Sequence, residues 1–169
     1  TERAAYVLRE AFDYPYVQIA EVLAVKEDNA RQLVSRARKH IADERSAPVD
    51  SAEQRRLLEA LVAAAQKGDL QRLETLLAED VVSYTDGNGM RGAARKPVHG
   101  RSVVAKFLTA FAPRFWPGTA LTWIEANGQP SVLISRDDDV VALLTVTATA
   151  EGIDQLMWVM SPDKLRLIS

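Results

Sequence analysis

The sequence contains no cysteine. That absence excludes disulfides, thiolate zinc centres, iron–sulfur clusters and a cysteine nucleophile together. Histidine is nearly missing as well: only His40 and His99 occur, too few for a multi-histidine metal site. No long hydrophobic run exists. The longest unbroken apolar stretch is the six residues from Ala60 to Ala65, far short of a membrane span. The chain begins at Thr1 and shows no basic-then-apolar leader, so a fragment or processed form of a cytoplasmic protein, with no membrane partner, is expected. Neither sign of charge is in excess: 21 Lys+Arg stand against 23 Asp+Glu, a net charge of −2. Taken whole, that argues against a general nucleic-acid binder. What is present is the make-up of an ordinary globular protein. The 169 residues are 47% hydrophobic and 26% charged, enough for one large domain or two small ones.

The chain divides into two textures. Residues 1–45 hold one proline and no glycine. Ala5, Leu8, Ala11 and Phe12 recur at helical spacing and predict a first helix to about Ala11. Asp13-Tyr14-Pro15 ends it, because proline lacks an N–H and pushes the preceding residue out of the α region. A short helix over about 16–23 follows, then a turn at Ala24-Val25-Lys26 and a longer helix over about 27–42. Residues 46–50 read as a linker to a second domain over 51–169. There, Ser51 is expected to cap a helix reaching about Lys67, and Asp69 a second to about Ala78. Strand-like runs are expected at 81–85, 119–126, 131–135, 140–148 and 155–160, with one helix at about 102–112 among them. That order places helices on one side of a curved, mostly antiparallel sheet, an α+β fold.

A short helix, a three-residue turn and a longer helix make a helix-turn-helix, the device that presents its second helix to the major groove. Ala30, Leu33, Val34, Ala37 and Ile41 form one apolar stripe on that second helix. Arg31, Gln32, Ser35, Arg36 and Lys39 lie away from it. Between Asn29 and Ile41 there are four cations (Arg31, Arg36, Arg38, Lys39) and no acid. Arginine grips guanine O6 and N7 bidentately, glutamine pairs with adenine, and further cations neutralise phosphates.

Glu2-Arg3-Ala4, Leu8-Arg9-Glu10, the run from Tyr16 to Leu23 and Ser35-Arg36-Ala37-Arg38-Lys39 together resemble region 4 of bacterial extracytoplasmic-function RNA polymerase sigma factors. Asp28-Asn29 stands where that family usually has a Gly-Thr pair. The resemblance implies that Arg31, Gln32, Ser35 and Arg36 read the promoter −35 element while Arg38 and Lys39 hold phosphates. RNA polymerase core and sigma region 2 of a longer chain are the protein partners it implies.

Residues 51–169 resemble SnoaL-like polyketide cyclases and the ketosteroid-isomerase-like group, which implies a cone-shaped α+β fold. A subgroup of the sigma factors carries such an extension, with an Asp-Gly-Gly-Gly-Lys motif and an Asn-Pro-Asp-Lys-Leu motif. Here Asp86-Gly87-Asn88-Gly89-Met90 keeps Asp86, Gly87 and Gly89, and Ser161-Pro162-Asp163-Lys164-Leu165 keeps Pro162, Asp163, Lys164 and Leu165. The resemblance implies that these residues tune the factor in cis. The plain readings are a tight turn after a strand for the first and a strand end, with Ser161 or Asp163 capping the next turn, for the second. Arg91, Arg95, Lys96, His99 and Arg101 fall in an acid-free segment that reads as a solvated loop or a surface facing DNA.

Tyr84, Asp86, His99, Glu125 and Asp154 are the groups that an enzyme of this fold would draw on, with Trp116, Trp123 and Trp158 as aromatic walls. No spacing among them demands catalysis, so no catalytic residue, metal or cofactor is expected. An enzyme also has no need of a cationic recognition helix. A sigma-factor fragment is the reading these residues favour. The alternatives are a SnoaL-like small-molecule binder or isomerase with a helical appendage, and a one-component repressor that senses a ligand. A small-molecule ligand in the pocket stays a candidate partner.

Overall fold

The computed structural model describes residues 1–87 and 93–168, apart from the side chains of 44–46. Two units form: Thr1–Ala47, and a second that begins at Pro48. In the first, α1 (Glu2–Glu10), α2 (Tyr16–Leu23) and α3 (Glu27–Ser46) surround a small core of Ala5, Ile19, Ala20, Ala30 and Val34. α1 ends before Pro15, as its sequence requires. The turn after α2 is closed by Ala24 in the left-handed region (φ 53°), and the Val25 N–H donates to the Ala20 carbonyl. α3 runs four residues past the end that its apolar stripe predicts, to Ser46.

The segment expected as a linker is accordingly ordered along most of its length. Pro48 bridges Thr149, the Val49 N–H donates to the Ala148 carbonyl, and Asp50 caps α4 (Ser51–Lys67). The capping oxygen is that of Asp50, which accepts from the Glu53 N–H at 2.8 Å, rather than that of Ser51. Ser51 is instead the first helical residue. α4 ends at Gly68 in the left-handed region, and Asp69 caps α5 (Leu70–Leu76) as its sequence suggests.

α5 passes without a loop into β1 (Leu77–Asp86), so this strand begins four residues earlier than expected. β2 (Val98–His99) pairs antiparallel with β1; His99 therefore sits in a short edge strand, where a loop was anticipated. α6 (Arg101–Phe115) precedes a meander of β3 (Thr119–Ala126), β4 (Gln129–Arg136), β5 (Asp139–Thr149) and β6 (Gly152–Val159), closed by α7 (Pro162–Leu165). The six strands lie in the order β2-β1-β6-β5-β4-β3. Among the described residues all pairings are antiparallel except β1 with β6, so the sheet is mixed. A curved, mostly antiparallel sheet was the expectation. The one parallel pair joins strands that are distant in sequence and leaves no local signal.

Side chains at opposite positions share a face of the sheet. The register Thr85–Trp158–Leu144–Val132–Trp123 defines the inward face. Trp158, Leu144 and Val132 are buried there against Leu58, Leu61, Val104, Ala105 and Leu108 of α4 and α6. The β5–β6 turn is tied to the other end of the domain through Gly152 (φ +116°). A Cβ at this position would lie 2.7 Å from the Leu76 carbonyl oxygen, so only glycine fits.

Candidate functional site

Two constellations carry the residues singled out by sequence. The first is α3. Arg31, Gln32, Ser35, Arg36, Arg38 and Lys39 are all exposed, whereas Ala30, Val34 and Ala37 are buried. The helix therefore has the two-faced character its pattern predicts. The acid-free quality of the segment does not survive folding, because α1 packs along α3 and brings its own carboxylates. Arg38 donates to Glu10 through Nε at 2.9 Å and Nη2 at 2.5 Å. Arg31 donates to Glu27 at 2.6 Å and stacks 4.9 Å from the Tyr16 ring centroid. Both guanidinium pKa values rise, chiefly through those hydrogen bonds to Glu10 and Glu27. Arg36 lies at 3.8 Å from Glu2, which also faces His40 at 3.3 Å. Among the described residues Lys39 has no ion-pair partner. The solvent face is thus led by Gln32, Ser35, Lys39 and Arg36, the last only loosely paired with Glu2, while Arg31 and Arg38 are hydrogen-bonded to intramolecular partners. Exposed pairs of this kind contribute little stability and exchange readily for phosphate oxygens.

The second constellation joins the two motifs of the second unit. Asp86 closes β1 and Lys164 sits in α7, yet the Lys164 ammonium pairs with the Asp86 carboxylate. The Asp86 carbonyl accepts from the Met160 N–H at 2.8 Å and the Ser161 N–H at 3.0 Å. Ser161 begins α7 without a side-chain cap, so neither Ser161 nor Asp163 plays the capping role anticipated for them. Leu165 is buried, whereas Pro162 and Asp163 are exposed. Gly87 follows directly; Gly89, with Asn88, Met90 and Arg91, lies outside the described residues. The turn expected of the first motif therefore lies outside the described residues.

The interior of the cone is filled by rings. Phe111 and Phe115 stack at 4.9 Å, Phe115 meets Trp116 at 4.9 Å and Trp158 at 5.8 Å. Among the described residues a cavity of about 10 Å³ lies between Thr85, Phe107, Phe111, Trp158 and Met160. Trp116 and Trp158 are core; Trp123 is partly exposed beneath the Arg55 guanidinium. Among the described residues the Trp158 Nε1 and Ser83 Oγ are buried without a hydrogen-bond partner. The candidate acid–base groups do not converge on this interior. Tyr84 and Asp86 lie on the outward rows of the sheet, His99 on its edge, and Glu125 is exposed near the β3–β4 turn. The Asp154 carboxylate accepts from the Thr147 hydroxyl at 2.7 Å. Among the described residues no cluster of three or more His, Asp or Glu is placed to hold a metal, and no helix is long and apolar enough to cross a membrane.

A small helix-turn-helix with a two-faced second helix, followed by helices packed on one face of a mixed sheet, defines a helix-turn-helix module joined to an α+β domain. Residues 1–41 match the family model for sigma-70, region 4. Residues 58–162 match that for the SnoaL-like domain, and since this is more than half of the chain, the protein belongs to the SnoaL-like domain family. Among curated relatives, the ECF RNA polymerase sigma factor SigJ of Mycobacterium tuberculosis is 37% identical over 120 residues, 69% of this chain and 38% of that protein. The probable ECF RNA polymerase sigma factor SigI of the same organism is 32% identical over 167 residues, 97% of this chain and 54% of that protein. The chain thus spans about half the length, or less, of these relatives. The crystal structure of SigJ from M. tuberculosis covers 98% of this chain and 60% of its own, at 29% identity and a TM-score of 0.56. A de novo designed protein with a curved β-sheet covers 71% of this chain and 94% of its own, at 14% identity and a TM-score of 0.51, a likeness of fold alone.

Proposed function

We propose that this chain is the promoter-reading and regulatory part of an alternative sigma factor of the extracytoplasmic-function type. The row Gln32, Ser35, Arg36 and Lys39 on the exposed face of α3 carries the reading. In it α3 enters the major groove of the −35 element, with Gln32, Ser35 and Arg36 at base edges and Lys39 on phosphate. Arg31 and Arg38 join only by exchanging Glu27 and Glu10 for DNA. RNA polymerase core, in the cytoplasm, and sigma region 2 of the full-length chain are the partners. The SnoaL-like domain acts in cis as a regulator rather than a catalyst, through Asp86, Gly87 and Gly89 and through Pro162, Asp163, Lys164 and Leu165. Tethering gives such a domain a millimolar-scale effective concentration, on the order of that for short linkers, so weak contacts suffice to bias the factor.

The test is selection of duplexes from a random pool by this chain at low salt, then titration of the enriched duplex. Enrichment that disappears with Arg36→Ala, in a variant whose fold is unchanged by circular dichroism, is the expected result. A pool that stays random would overturn the reading.

A small-molecule ligand inside the cone is a second reading, favoured by the unpartnered Trp158 Nε1 and Ser83 Oγ. A buried donor of this kind asks for an acceptor, so the ligand is apolar with a carbonyl, and the rings around the small cavity must part to admit it. Thermal-shift screening of such compounds should find one whose stabilisation is lost in Trp158→Phe. A hit that stabilises the variant equally would exclude this site.

A further inference from the structure

The two edges of the sheet are built differently. On one side β2 is only two residues long, and Lys96, Pro97 and Arg101 flank it, devices that discourage further pairing. The other edge, β3, is eight residues long and keeps an unbroken register with β4, from Thr119 opposite Arg136 to Ala126 opposite Gln129. It holds no proline, glycine, lysine or arginine, and its one charge is Glu125. Among the described residues β4 is its sole hydrogen-bonded neighbour. Hairpin geometry says which of its backbone groups are left over. Asn127 and Gly128 form a two-residue turn with φ 52° and 74°, the primed type that closes on a hydrogen-bonded pair, here Ala126 and Gln129. Alternation then bonds Ile124, Thr122 and Ala120 to β4 and turns the N–H and C=O of Leu121, Trp123 and Glu125 toward the open edge. Two observations agree. Pro130, which has no N–H to give, is the residue opposite Glu125. The Thr119 N–H, of the same parity, donates to the Trp116 carbonyl rather than to β4.

We propose that the β3 edge is a docking site for an extended peptide segment of a partner protein. The segment adds as a further strand antiparallel to β3, with a basic residue opposite Glu125 and β-branched residues opposite Trp123 and Leu121. The backbone selects the class of occupant. Alternating donors and acceptors at strand spacing match another extended chain. They match neither a phosphate backbone, which offers acceptors alone, nor a helix, whose groups are bonded internally. Side chains select the rest. Leu121 and Trp123 are half-buried, so each offers part of its surface to a neighbour beyond the edge, and aromatic–β-branched pairs across strands are favourable. Glu125 is exposed and has no ion-pair partner among the described residues, so a lysine or arginine opposite it completes the pair. Ala120 and Thr122, exposed on the other face, are short and leave room for hydroxylic residues beside them. A second copy of the chain fits less well. Because β3 has one charge, every two-fold antiparallel register sets Glu125 against an uncharged residue or against its own copy. A single added strand is a small interface, so the complex is transient.

The probe is the capped peptide acetyl-Thr-Lys-Thr-Val-Thr-Val-Thr-amide, titrated into the isotope-labelled chain and read by amide-proton NMR. The expected result is a saturable downfield shift of the Leu121, Trp123 and Glu125 amide protons. Those of Ala120, Thr122 and Ile124 should move less, because β4 already holds them. N-methylation of the two valines, whose N–H groups face β3, should weaken the peptide by roughly tenfold or more. N-methylation of the threonine between them, whose N–H faces solvent, should not. Glu125→Lys, at an exposed position and therefore compatible with folding, should weaken this peptide about threefold and favour the version with glutamate in place of lysine. Amides of β3 that stay unmoved at millimolar peptide would overturn the proposal. So would equal binding of the two methylated peptides, or indifference of both charged peptides to Glu125→Lys. Shifts in β3 that appear on concentrating the chain without peptide would give the edge to a second copy and overturn it too.

Discussion

Arg38 and Lys39 are neighbours on α3 with different fates, and in the proposed function the difference sets what each would contribute to DNA. Arg38 points back toward α1 and is held by Glu10; Lys39 has no such partner among the described residues. A single-helix count of cations treats the two alike, because Glu10 is twenty-eight residues from Arg38. In the salt-dependent titration of the selected duplex, Lys39→Ala should weaken binding to all sequences alike and lower the slope against log salt by about 1. Arg36→Ala should cost roughly 1–3 kcal/mol and relax preference at one base pair. A Lys39→Ala slope equal to that of the unaltered chain would remove Lys39 from the phosphate contacts.

At the level of elements, the helix boundaries follow from punctuation that sequence displays openly: Pro15 after α1, Gly68 after α4, Asp69 before α5. Strand β2 and the early start of β1 were hidden. Val98–His99 is too short to show a period and exists only because β1 lies alongside it. Gly152 looks in sequence like any turn glycine, yet its role is to let the β5–β6 turn approach the end of α5. Gly152→Ala should therefore lower stability by about 1–3 kcal/mol, through the left-handed backbone and the contact with the Leu76 carbonyl. Gly128→Ala, where the added Cβ meets nothing within 4 Å, should cost less. Chemical denaturation of both variants checks the ranking; equal losses would mean that backbone conformation alone is at work.

On the scale of the whole molecule, the motifs at Asp86 and at 161–165 are one feature. Sequence resemblance singled out both, but it gave no reason for them to meet. The parallel pairing of β1 with β6 does so, by bringing the end of one strand beside the chain that leaves the other. If the chain works within a sigma factor as proposed, Asp86→Lys or Lys164→Asp alone should change run-off transcription without altering affinity for the −35 duplex, and the two together should restore it. If each single change is silent, or the double variant is no better than the singles, the pair is only a surface contact.

The opening absence of cysteine holds its meaning at every scale: no thiol in this chain senses a signal or ligates a metal. By itself the sequence determined the local facts. It carried the helix-turn-helix, the buried stripe of Ala30, Val34 and Ala37, the strands of the β3–β6 meander and the residues of both motifs, because period, capping and turn chemistry act between near neighbours. Tertiary structure alone decided which α3 cations take intramolecular partners, that Asp86 meets Lys164, and that the aromatic rings pack together in the interior. Those depend on pairs far apart in sequence, whose contact is fixed by packing and strand register and leaves no local trace.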